Sequence, residues 1–149
     1  MTQLEQIKSL GYPVKLDTNG SFPEKLSLLI DEKLVDYVAM DIKNSPERYA
    51  ETVGRDRFDI SNVEKSAALL LQGKVDYEFR TTVVAQLHDE TSFHEIGRWI
   101  KGAKRYFLQC FAPRETVLRA GLDAPSKEEM LRYAEIARMY VPETGVRGI

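Results

Sequence analysis

The sequence predicts an α/β protein built from parallel β/α units, and three observations predict it. Short β-type runs alternate with helical segments four times along the 149 residues. Most helical segments open on a capping signal or close on a glycine. Strand-helix-strand alternation of this kind argues for parallel strands joined by right-handed crossovers.

The elements follow in order. A helix over residues 4–10 comes first, with no strand before it, so the chain enters a β/α repeat partway through. Val14-Lys15-Leu16 reads as a strand ending at Asp17-Thr18-Asn19-Gly20, where Asn-Gly marks a turn. Ser21 and Glu24 have capping-box spacing, with Pro23 just inside, and predict a helix to about Lys33. Val35 to Met40 is a second strand, ending at Asp41-Ile42-Lys43. Ser45-Pro46 starts a short helix, and 54–59 is a loop. Ser61 and Glu64 are expected to cap a helix that Gly73 closes. Asp76 to Val84 is the clearest strand. Ser92 and Glu95 are expected to open a helix with Phe93, Ile96, Trp99 and Ile100 on one face, stopped by Gly102. Arg105 to Phe111 is a fourth strand, followed by a loop holding Pro113, Gly121 and Pro125. Ser126 and Glu129 cap a last helix in which Met130, Tyr133, Ile136, Ala137 and Tyr140 recur at helical spacing. The tail from Val146 to Ile149 reads as a further short strand, and residues 1–149 as a single domain.

Composition narrows the function classes. Hydrophobic content of 43% and charged content of 30% suit a soluble globular protein. Twenty-one Lys and Arg against 23 Asp and Glu leave a net charge of -2, which offers no footprint for nucleic acid and no polybasic membrane patch. The longest apolar run, Ala67 to Leu71, is too short to span a bilayer. No signal-peptide pattern follows Met1, so a cytoplasmic location is the default expectation. The single cysteine, Cys110, excludes an internal disulfide and any cysteine-rich zinc or iron–sulfur site from this chain alone. Cys110 itself reads as a small core residue, with nothing adjacent in sequence to lower its pKa. His88 and His94 read as surface residues and Trp99 as core.

Ligands of parallel α/β proteins sit at the C-terminal ends of the strands. Those ends supply Asp17, Thr18 and Asn19, then Asp41 and Lys43, then Arg80 and Thr82, then Gln109 and Phe111. Two carboxylates, a lysine and an arginine suit a small zwitterion bearing hydroxyls: the cations take its carboxylate, the Asp and Asn side chains its amine or ribose hydroxyls. Plainer readings stand beside this one. Asp17 to Gly20 also fits ordinary turn chemistry, and Asp41 and Lys43 also fit a surface ion pair. Arg80, in an otherwise apolar strand, demands a partner.

Taken together, Val14 to Gly20, Val35 to Lys43 and Tyr77 to Val84 resemble successive strands of the radical S-adenosylmethionine (SAM) activases of glycyl-radical enzymes. Gly102-Ala103-Lys104-Arg105 and the strand Tyr106 to Phe111 resemble the activating proteins of anaerobic ribonucleoside-triphosphate reductase, with pyruvate formate-lyase activase as a relative. The likeness runs from about Leu4 to Phe111. It implies the later part of an incomplete TIM-like (β/α)6 radical SAM barrel. It also implies a protein that binds SAM and a 4Fe–4S cluster, receives an electron from a donor, and makes a glycyl radical on its partner. By that resemblance Asp17, Thr18 and Asn19 fall near the methionine or ribose of SAM. Asp17, Thr18, the Met40 carbonyl and Asp41 form a monovalent-cation site. Lys43 and Arg80 reach SAM polar groups, with Thr82 beneath them. Phe111 stands where the pyruvate formate-lyase relatives place a histidine against adenine, which keeps stacking and removes a polar contact.

The family's CxxxCxxC loop and GGEP strand precede the matched region and do not occur in this sequence. The cluster is therefore not expected on this chain, and no residue is expected to be catalytic by itself. A portion of an activase is the first expectation. A non-enzymatic remnant that keeps the SAM-side surface or docks a partner is the alternative. An unrelated barrel fragment for a phosphorylated metabolite is the third, without a glycine-rich phosphate loop to support it. Missing strands would leave an open sheet edge, a route to self-association. Purified chain supplied with SAM and a reductant is expected to release no 5′-deoxyadenosine, as followed by chromatography; sustained turnover would overturn that expectation.

Overall fold

The computed structural model describes residues 3–112 and 121–149, so Met1 and Pro113 lie outside the described residues. The elements are α1 (Gln3–Ser9), β1 (Lys15–Thr18), α2 (Pro23–Asp31), β2 (Tyr37–Asp41), a 3-10 turn (Pro46–Arg48) running into α3 (Tyr49–Val53), and α4 (Ser61–Leu71). Then come β3 (Asp76–Val83), α5 (Glu90–Trp99), β4 (Tyr106–Cys110), α6 (Lys127–Arg138) and β5 (Thr144–Arg147). The strands belong to one sheet in the order β1-β2-β3-β4-β5. The pairings of β1 with β2, β3 with β4 and β4 with β5 are parallel, as the β/α alternation predicts. Among the described residues, no helix is long and apolar enough to cross a membrane.

Two compact units divide the chain: Met1–Asp41 with Asp59–Glu78, and Ile42–Phe58 with Phe79–Ile149. In the first unit, Lys15 pairs with Tyr37 and Asp17 with Ala39, so these four side chains share one face of the sheet. Leu16 with Val38 and Thr18 with Met40 share the other. Helices α2 and α4 pack together, burying Leu26 and Ile30 on one and Val63, Ala67 and Leu70 on the other. Lys8 of α1 grips the Asp36 carboxylate at 2.6 and 2.7 Å, and Asp36 also accepts the Val14 N–H at 2.6 Å. That lysine hydrogen bond is the main reason Asp36 titrates below the usual carboxylate value.

In the second unit, Phe79, Thr81 and Val83 alternate with Arg80 and Thr82, and only the first set is buried. Tyr106 and Leu108 continue the buried face on β4. Helix α5 lays Phe93 and Ile96 against α6, whose Met130, Tyr133, Ala134 and Ala137 are buried. The Phe93 and Tyr133 rings stack at 4.7 Å. Gly97 lets this layer close: a Cβ there would overlap the Tyr140 ring.

Several predicted boundaries move, each for a local reason. The N-cap of α2 is Phe22, not Ser21, whose N–H is instead turned onto Asn19 Oδ1 at 3.0 Å. Helix α4 has Ile60 at its N-cap, with no side-chain cap from Ser61. Helix α5 begins two residues before Ser92, because Asp89 caps it: Asp89 Oδ1 accepts the Ser92 N–H at 3.0 Å, and Ser92 returns the bond as the third helical residue. The box predicted for α6 forms as read, with Ser126 and Glu129 bonded reciprocally at 3.0 and 2.9 Å. Strand β5 starts at Thr144 rather than Val146, its Oγ1 donating to the Val141 carbonyl at 2.6 Å.

Gly97→Ala is expected to lower stability by about 1–3 kcal/mol, the usual cost of overpacking a closed core. Thermal melting beside the parent chain reads it, and an unchanged midpoint would mean that Tyr140 yields freely.

Candidate functional site

Each unit carries polar side chains at the C-terminal ends of its strands. In the first, β1 ends on Asp17, exposed, and Thr18, half-buried. Thr18 Oγ1 accepts the Gly20 N–H at 3.0 Å, and Asn19 Oδ1 accepts the Ser21 N–H at 3.0 Å. The turn chemistry read from Asn-Gly is therefore realised in these two side chains. Gly20 holds φ +78°, and a Cβ on it would run into the Met40 side chain. Ser66 of α4 donates to the Gly20 carbonyl at 2.8 Å and ties the turn to the helix beneath. Thr18 lies opposite Met40, which brings Asp17, Thr18, Met40 and Asp41 to adjacent strand ends. Met40 is fully buried and packs beneath Gly20, so its carbonyl rather than its side chain is the candidate ligand.

The first unit also carries residues that the strand-end rule passes over. Lys15 lies 5.7 Å from the Tyr37 ring centroid, and the Tyr37 hydroxyl donates to Glu78 at 2.9 Å. Glu78 is 3% exposed, a buried carboxylate with a phenol for a partner. Its signal in the sequence was a charge in mid-strand, the same one that drew attention to Arg80.

In the second unit Arg80 is half-buried, and Thr82, exposed, lies opposite Gln109, also exposed. Phe111 is half-buried just past β4, its N–H donating to the Val83 carbonyl at 3.1 Å. Phe107 pairs with Arg80 and Arg147 with Gln109, so both join this face. The Arg147 guanidinium stacks on the Phe107 ring at 3.8 Å, and Gly145 leaves space beside that ring. Alternation along β4 and β5 is the signal that would have found them. Cys110 is half-buried, its thiol 3.8 Å from the Phe111 carbonyl and 3.9 Å from that of Pro125.

Lys43 is exposed, but its peptide is not loose. The Tyr49 hydroxyl accepts the Lys43 N–H at 3.0 Å, and His88 Nε2 donates to the Lys43 carbonyl at 2.8 Å. His88 Nδ1 accepts the Val84 N–H at 3.0 Å, so the ring is the neutral Nε2–H tautomer. His88 is thus 3% exposed and not the surface residue expected. A sequence shows the polar loop around it but not the carbonyl it bonds. His94 is half-buried, its Nδ1 2.8 Å from the Tyr140 hydroxyl. Trp99 is half-buried too, its ring edge-on to Tyr49 with centroids 6.3 Å apart. Deeper, Thr81 Oγ1 contacts both the Ile42 carbonyl and the Tyr106 hydroxyl, and burial pushes the Tyr106 phenol above its ordinary value.

Among the described residues, no three or more His, Cys, Asp or Glu side chains are gathered to hold a metal ion. With one cysteine in the chain, its donors do not fit a 4Fe–4S cluster.

No protein-family model matches the chain. In sequence it is 35% identical, over 147 residues, to a candidate glycyl-radical enzyme activating enzyme of Methanocaldococcus jannaschii. The match covers 95% of this chain and 61% of that protein, so the chain spans about three-fifths of its curated relative. In structure it is similar to a domain of pyruvate-formate lyase-activating enzyme from Bacteroides vulgatus, with a TM-score of 0.77 at 14% identity. That superposition covers 97% of this chain and 87% of the other, and it shows a shared parallel α/β fold.

Burial, ahead of the nearby Arg48, lowers the His88 pKa below the ordinary 6.5, while its bonds to Lys43 and Val84 and the Asp89 charge oppose this. A depressed folded pKa means that the unfolded chain binds the proton more readily. The His88 contribution is then complete above about pH 6.5 and is lost as pH falls toward the folded value. Denaturant midpoints are expected to drop between pH 6.5 and 5, with a shallower drop in His88→Gln. Parallel curves for the two proteins would contradict this.

Proposed function

We propose that the chain is the later part of a radical SAM activase and that its strand-end residues hold SAM. The observation that carries this is the 35% identity, over 147 residues, to the archaeal activating enzyme. The polar residues at and just past the strand ends of each unit are consistent with this reading. Lys43 and Arg80 would take the SAM carboxylate, and Asp17, Asn19 and Asp41 its amine or ribose hydroxyls. Gln109 and Phe111 would meet the adenine by hydrogen bond and stacking, with Thr82 beneath the polar groups. Asp17, Thr18, the Met40 carbonyl and Asp41 are oxygen donors suited to a monovalent cation. When bound, SAM would supply a sulfonium carbon–sulfur bond that one electron from a separate donor could break, the released carbon fragment then taking a hydrogen atom from a glycine. The partner would be a glycyl-radical enzyme, with anaerobic ribonucleotide reductase as the proposed one, served by a separate electron donor. Because the donors of this chain do not fit the cluster, no electron-transfer step is assigned to its residues.

Nuclear magnetic resonance titration of the labelled chain with SAM tests the site. The amides of Asp17, Asp41, Lys43 and Arg80 are expected to shift, and Arg80→Ala to weaken binding about tenfold, the value of one lost charge-assisted contact. A spectrum unmoved at millimolar SAM would remove the proposed site.

A further inference from the structure

Lys43 stands two residues past β2, where the strand ladder has ended and a surface peptide would ordinarily bond to water. Here both of its backbone polar atoms are held by buried side chains instead. Tyr49, 2% exposed, receives the N–H, and His88, 3% exposed, donates to the carbonyl. Tyr49 is fixed in turn by the Phe58 ring at 5.3 Å and the Trp99 ring at 6.3 Å. His88 is fixed by the Val84 N–H and by the Phe93 ring at 5.8 Å. The next residue, Asn44, is completely buried and spans Thr52 Oγ1 at 2.9 Å and the Leu87 carbonyl at 2.7 Å. It thereby joins α3 to the loop that carries His88. Arg48 closes the cluster by donating to Ser92 Oγ at 3.0 Å and Asp89 at 3.2 Å.

Burying these polar groups costs free energy unless each finds a partner, and several of them converge on one exposed lysine peptide. A lysine side chain keeps four flexible carbons, so the part of it that a fold can preorganise is its backbone. We propose that Tyr49 and His88 are positioning residues for Lys43, holding its peptide so that the ammonium is presented to the carboxylate of SAM. This rests on the reading above that Lys43 binds an anionic group of that cofactor. Neither residue touches the ligand; each acts through Lys43. The charged groups facing His88 are Arg48 and Asp89; burial favours its neutral form, and the Val84 N–H bonded to Nδ1 leaves the proton on Nε2, facing the Lys43 carbonyl.

Tyr49→Phe removes the hydroxyl and leaves the ring between Phe58 and Trp99. SAM titration of the full chain, followed by magnetic resonance at a temperature where the variant stays folded, is expected to show about a fivefold rise in Kd, beside a lowered melting midpoint from the orphaned Lys43 N–H. In a Lys43→Met background the same change is expected to add nothing, because the group it positions is gone. His88→Leu is expected to weaken binding similarly, and His88→Gln, which restores an N–H donor, to recover most of the loss. If Tyr49→Phe leaves Kd unchanged, or weakens binding equally beside Lys43→Met, the positioning role is overturned and the SAM site stands. If the parent chain takes up no SAM, the site itself falls and the positioning role falls with it.

Discussion

Where the chain leaves β2 it stays buried, and its peptide groups must find partners inside the protein. Ile42, Asn44 and Ser45 are fully buried, with only Lys43 between them exposed. The Ile42 N–H is met by the Arg80 carbonyl at 2.7 Å, and its own carbonyl by Thr81. The Ser45 N–H is met by Asn44 Oδ1 at 2.8 Å, and its carbonyl by the Arg48 N–H at 3.1 Å. Among the described residues, Ser45 Oγ is the one buried side-chain polar atom left without a partner. Much of the second unit follows from meeting these demands. Helix α3 supplies Tyr49 and Thr52, the loop after β3 supplies His88 and the Leu87 carbonyl, and the cap of α5 anchors Arg48.

A second constraint is the two-residue period of a strand. Parallel sheets usually cover both faces, and their strands then read as continuous apolar runs. Strand β2, buried from Val38 to Met40, fits that description, but the later part of β3 and β4 do not. Phe79, Thr81 and Val83 are buried while Thr82 is exposed, and β4 alternates in the same way. In this part of the second unit one face of the strands therefore belongs to the core, and Arg80, Thr82 and Gln109 lie on the other. Each unit has polar contacts away from its strand ends: Tyr37 with Glu78 in one, and Arg147 on Phe107 in the other.

The chemistry available here is that of recognition. Cations, carboxylates, amides and aromatic rings are groups suited to holding a zwitterion, and one cysteine does not suffice to ligate a cluster. The sequence relative is longer than this chain, which spans 61% of it, and the structural relative shares the fold at 14% identity. Sequence similarity to the one and fold in common with the other are what the comparisons give for this chain.

The order of strands and helices was legible in the residues because the β-type runs, the Ser126–Glu129 box and the closing glycines are local signals. That Asp17, Thr18 and Asp41 close their strands was legible for the same reason, since strand limits follow the local pattern. Helix starts were less so. Asp89 and Ser92 make the same reciprocal bonds as a Ser–Glu pair, and composition alone ranks neither above the other. His88 and Tyr49 were not legible at all. They are separated from Lys43 by 45 and 6 residues, and only the folded chain brings a buried imidazole and a phenol to the two ends of one peptide group. Sequence determined which residues lie at the strand ends, because that depends on local periodicity. Tertiary structure decided which of them are held still, because that depends on hydrogen bonds between distant segments buried away from water.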